Sequence, residues 1–145
     1  MDGQRSGKLG TIALGGAGTM MLAVGTLHLL APQMMMEAPA IELTTVNHRH
    51  VVRAAYGGAY LGMAALFALG LLDRTARAFS LLSIAILFGG FALGRLFSLA
   101  VDGLPVPLYL GVLAFEVAFA ALAIAAIRSE RPEAGKRPSR SKEAP

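Results

Sequence analysis

Arg95 is the residue whose presence demands an explanation. It stands in an apolar run with no other charged residue between Arg77 and Asp102. A charge within a membrane segment is expensive and needs a partner or a wet cavity. Ser98 and Asp102 follow at spacings of three and four, so all three share one helical face. Glu116, inside the next apolar run, is the leading counter-charge, and a bidentate arginine–carboxylate pair is the natural arrangement. Arg53, Tyr56, Asn47 and His28 complete a candidate polar cluster. Such a cluster could be glue between helices or the lining of a pocket. The surplus of arginines points to an anionic or polar ligand.

Other chemistries find little support. The chain has no cysteine, which removes disulfides, thiol nucleophiles and cysteine-held iron–sulfur clusters. His48-x-His50 is a weak metal motif, needing an extended loop and a carboxylate from Glu37 or Glu42. We assign no metal, no cofactor and no catalytic residue. Gly89-Gly90-x-x-x-Gly94 is not a phosphate loop, since no strand precedes it and no Lys-Ser/Thr pair follows. There is no Ser-His-Asp set and no basic–aromatic surface for nucleic acid.

The elements that must position these residues are membrane helices. Of 145 residues, 15% are charged, against about 25% in soluble domains. Apolar runs over 11–31, 51–72, 78–101 and 108–127 predict an all-α integral membrane four-helix bundle. The first run is too long for a signal-peptide core, and Ala38-Pro39-Ala40 lies well beyond its end, so it reads as a retained helix. Pro32 stops it, and 32–50 reads as a loop against the membrane surface, with a short amphipathic helix as an option. Residues 1–10 read as a polar N-terminus and 128–145, with six basic and three acidic residues, as a disordered tail. Basic residues flank one side at Arg5, Lys8, Arg74, Arg77 and the tail, so both termini are expected in the cytoplasm.

Helix rise then sets depth. At about 1.5 Å per residue, Arg95 lies ~10 Å from the outer surface, Glu116 ~13 Å and His28 ~6 Å. The inner half is expected to hold only serines and threonines. Gly58 and Gly62 on the second run, and Gly90 and Gly94 on the third, repeat every four residues, the spacing that lets helices approach closely.

Arg53-Ala54-Ala55-Tyr56-Gly57-Gly58-x-x-Leu61-Gly62, Gly94-Arg95-x-x-Ser98-x-x-x-Asp102-Gly103-x-Pro105 and Glu116 together resemble a bacterial family of small four-helix membrane proteins. That family is catalogued as a domain of unknown function (four-three-four-five). The resemblance covers roughly residues 10–127. It implies four transmembrane helices and no established activity. The expected function is therefore non-enzymatic: a multi-pass protein of the bacterial inner membrane, binding a small polar or anionic ligand, a lipid or a partner protein. The alternatives are an accessory subunit of a larger membrane complex, or a small dimeric transporter using Glu116, for which a paired glutamate is a poor proton carrier. The bilayer itself, a second copy or another membrane protein are the expected partners.

Overall fold

The computed structural model describes the backbone of residues 2–130 and the side chains of residues 7–130. Helix α1 runs Asp2–Leu30, α2 Pro32–Glu37, α3 Val46–Val52, α4 Ala59–Leu72, α5 Arg74–Asp102 and α6 Pro107–Glu130. A π-helical turn, Arg53–Gly58, joins α3 to α4 without a break. Four stretches are long and apolar enough to cross a membrane: Gly7–Leu30, Val46–Leu72, Arg74–Asp102 and Pro107–Glu130. Large apolar side chains cover the outside, among them Ile12, Leu22, Phe79, Ile86, Leu93 and Phe97. A helix apolar all round is at home in lipid or in a protein core.

The helix limits differ from the expected ones in ways the caps explain. Pro32 ends α1 but is the first residue of α2, a position where its missing N–H costs nothing. The second span starts at Val46 because the Thr45 side chain accepts from the His48 backbone N–H. Asn47, His48 and His50 are thus helical, which removes the extended loop a His-x-His metal site requires. The third span starts at Arg74, capped by Asp73, whose carboxylate accepts from the Thr75 N–H and hydroxyl. Those two bonds hold the Asp73 pKa below the usual aspartate value. Its capping contribution is therefore complete at neutral pH and fades only as pH falls through that lowered pKa. The expected polar N-terminus is helical from Asp2, and residues 128–130 of the expected tail belong to α6. Residues 131–145 lie outside the described part.

The four spans form a ring in which α1 packs on α4 and α6, and α5 on α4 and α6. Leu14, Phe67, Leu81, Ile84 and Phe88 are fully buried at its centre. Phe88 is the hub: its ring centroid lies 5.7 Å from Phe115, 6.2 Å from Phe67, 6.3 Å from Phe91 and 6.4 Å from Phe119. Two of these contacts are edge-to-face, the favoured geometry for aromatic quadrupoles.

The close-approach glycines are not the expected ones. A Cβ on Gly62, Gly90 or Gly94 would meet nothing within 4 Å, and on Gly58 only the carbonyl of its own helix. These four point away from the bundle. The helices instead meet at Gly16 against Phe119, Gly25 against Leu61 and Tyr60, Gly57 against the Leu29 backbone, and Gly70 against Ser80.

The end of the bundle that holds the α4–α5 turn has an ion pair of its own. Arg77 donates from Nε to both oxygens of Glu130 at 3.1 Å and from Nη2 to Oε1 at 3.0 Å. The same Nη2 reaches the Gly7 carbonyl at 2.8 Å and Thr11 Oγ1 at 3.3 Å. Three helices are fastened by one guanidinium, and Gly10 leaves the room it needs. Serines and threonines are therefore not the whole polar content of this half. Arg77→Ala is expected to cost about 1.5–3 kcal/mol, the range for hydrogen bonds to charged groups. A thermal melt in detergent at low and high salt measures it; an unchanged melt would mean the clamp is solvated.

A candidate ligand-binding cavity

One turn beyond the Gly16–Phe119 contact lies a cavity of about 440 Å³, lined by α1, α2 and the turn after it, the π-turn and α4, α5 and α6. That is within the range of about 300–1,000 Å³ for small-molecule sites. Phe88, Phe91 and Phe115 form its floor, and Met20, Met21, Met35 and Met36 its flexible sides. Its roof is α2 and the turn after it, with Ala38, Pro39 and Ile41. That turn is held by the Ile41 N–H on the Met36 carbonyl and the Ala40 N–H on the Glu37 carbonyl, with Ala40 at φ 56°. The Ala-Pro-Ala stretch thus forms an ordered turn, and Met35 and Met36 line the cavity while Met34 is exposed.

Six polar side chains converge on this space: His28, Tyr56, Tyr60, Arg95, Tyr109 and Glu116. Arg95 and Glu116 pair across α5 and α6 at 3.0 Å, as their depths require. The geometry is not the expected fork: Nε alone donates to both carboxylate oxygens, at 3.0 Å each. No other hydrogen bond from Arg95 is found among the described residues, so its Nη edge has no protein partner there. The Tyr109 ring lies 5.5 Å from the guanidinium carbon, a cation–π distance. Glu116 is buried, whereas 36% of the Arg95 side chain is exposed.

His28 is buried on the opposite wall. Its Nδ1 lies 2.8 Å from the Val24 carbonyl, which can only accept, so Nδ1 carries the proton. In the neutral ring Nε2 is then an acceptor, and it has no protein partner among the described residues. Tyr56 stacks on the imidazole at 5.5 Å and 24°, and Tyr60 meets it edge-on at 5.6 Å. The π-turn positions Tyr56 here; π-turns inside α-helices are frequent at functional sites.

The remaining members of the expected cluster lie elsewhere. Arg53 donates Nε to the Leu29 carbonyl at 3.0 Å, closing the end of α1. Asn47 is exposed on α3. Ser98 donates to Asp102 at 2.9 Å on an exposed surface. Ser98 borders a recess of about 190 Å³ that shares Arg95 and Tyr109 with the cavity. Tyr109 is the residue that sequence reasoning overlooked. It lies seven residues before Glu116, on the same helical face, which is the signal that identifies it.

No group of three or more His, Asp or Glu side chains suited to a metal exists among the described residues. The arrangement presents donors, acceptors and aromatic faces in an apolar container, which is the equipment of a binding site. Residues 9–127 match a family model described as a domain of unknown function (DUF4345). No curated protein and no solved structure matches the chain.

Proposed function

We propose a function from the site itself, since the chain belongs to the DUF4345 family and the description of that family assigns none. The protein binds a small amphiphilic molecule in this cavity. The observation that carries this reading is the cavity's make-up: an ion pair of a half-buried arginine and a buried glutamate, with an unpartnered guanidinium edge, and a histidine with a free acceptor, among methionine and phenylalanine side chains. Apolar pockets with a few convergent polar groups are the usual form of a small-molecule site.

The chain supplies its own reporter. It has three tyrosines and no tryptophan, and all three tyrosines line the cavity. Native mass spectrometry after mild extraction is expected to find one small molecule per chain, with tyrosine emission changing when it is removed. Val112→Phe, which sets a larger side chain on the cavity wall, is expected to diminish both. An empty wild-type protein with emission indifferent to delipidation would sink the reading.

We also place the cavity at the periplasmic side of a bacterial inner membrane, because Lys8, Arg74 and Arg77 mark the other end as cytoplasmic. Single cysteines at Thr45 and Gly103 should react with an impermeant thiol reagent in whole cells, and one at Ser6 should not; the reverse pattern would invert the topology. A second reading, contact with a second copy or another membrane protein, is favoured by the outward-facing Gly90–Gly94 stripe, since small residues let helices approach.

A further inference from the structure

We propose that the cavity takes an uncharged, flat ring with carbonyl or hydroxyl oxygens on its edges, the chemistry of a quinone or quinol; this rests on the ligand-binding reading above.

Charge decides against an anion. The arginine surplus that pointed to one is used up elsewhere: Arg49 donates to the Leu43 carbonyl, Arg53 to the Leu29 carbonyl and Arg77 to Glu130. Arg95 is the one arginine lining the cavity among the described residues, and Glu116 already neutralises it. A carboxylate ligand would enter beside a buried carboxylate, and like charges brought together oppose binding.

Shape and hydrogen bonding select the ring. Six aromatic side chains, Tyr56, Tyr60, Tyr109, Phe88, Phe91 and Phe115, surround the space together with the His28 imidazole. Their faces and edges suit a flat π-system, and the methionines adjust to its outline. Donor and acceptor come from different helices: the unpartnered Nη edge of Arg95 on α5 suits a carbonyl oxygen, and His28 Nε2 on α1 suits a hydroxyl proton. At the rim, Met20, Ile41, Tyr56 and Leu108 are exposed, so the cavity is open to the surroundings and leaves room for an apolar tail on the ring.

Equilibrium dialysis of the purified protein in detergent tests this with three bicyclic probes of like size: 2-methyl-1,4-naphthoquinone, 1,4-dihydroxynaphthalene and 2-naphthoate. The quinone should bind saturably at one per chain and at least about tenfold more tightly than the naphthoate. His28→Phe keeps an aromatic ring and removes Nε2, so it should weaken the dihydroxy probe by a larger factor than the quinone. Naphthoate binding as tight as quinone binding would overturn the inference, as would quinone uptake that never saturates. Neither result touches the copurification experiment, which judges the binding reading by itself. If the His28 variant fails to fold, the comparison of quinone and naphthoate on the unaltered protein still decides.

Discussion

Arg95→Ala is expected to destabilise the bundle by about 3–5 kcal/mol, the usual cost of stranding one partner of a buried pair, and Glu116→Ala by clearly less. The asymmetry follows from burial. Glu116 is 3% exposed, so without the guanidinium its carboxylate is left unpartnered in low dielectric. Arg95 keeps 36% of its side chain exposed and lies beside Tyr109, so without Glu116 it can swing toward the interface and retain the aromatic face. The matched change Arg95→Met with Glu116→Leu removes both charges and should recover much of the lost stability. Denaturation in detergent, followed by circular dichroism, reads all three. The double variant also separates glue from site. Recovered stability with the copurifying molecule retained makes the pair a fastener; recovered stability with the molecule lost makes it part of the binding surface. Two harmless single changes would mean that the pair has no energetic role.

The pairing of Arg95 with Glu116 was legible because depth is a one-dimensional quantity. A fixed rise per residue, read from turns marked by Pro32, Asp102 and Pro107, puts charges on a common level without any knowledge of packing. The four spans were legible for a related reason, since their length and apolarity are set by the bilayer. Facing direction was not legible. When a helix is apolar on every side, the pattern that normally separates core from surface vanishes. Gly58, Gly62, Gly90 and Gly94 therefore looked like contact positions although they face outward. The same blindness hid the cavity. It depends on residues of α1, α4, α5 and α6 and on α2 folding back against them, an arrangement that leaves no local trace. The π-turn that brings Tyr56 against His28 has no sequence signature of its own. Arg77 and Glu130 were read by their charge, as topology and as tail, and their partners across the bundle could not be inferred from spacing.

Gly57 and Gly58 are neighbours in the chain, and their substitutions are expected to behave oppositely. A Cβ on Gly57 would lie 3.2 Å from the Leu29 nitrogen, 3.3 Å from its Cα and 3.4 Å from the Gly25 carbonyl oxygen. These are backbone atoms of α1, which cannot rotate away as a side chain can. Gly57→Leu must therefore push α1 off the π-turn, at the typical overpacking cost of about 1–3 kcal/mol. The same displacement separates His28 from Tyr56, so tyrosine emission should change along with the melt. A Cβ on Gly58 meets only the Arg53 carbonyl at 3.8 Å, and one on Gly94 meets nothing within 4 Å. Gly58→Leu and Gly94→Leu should both melt within about 0.5 kcal/mol of the parent, as surface substitutions do. Leucine's better helix propensity works in their favour. If Gly94→Leu instead changes the size of the particle in detergent while leaving the melt of the single chain intact, the α5 stripe is a contact between copies. Equal melts for Gly57→Leu and Gly58→Leu would show that α1 does not rest on the π-turn, and the stacking of Tyr56 on His28 would then lack the support of that contact.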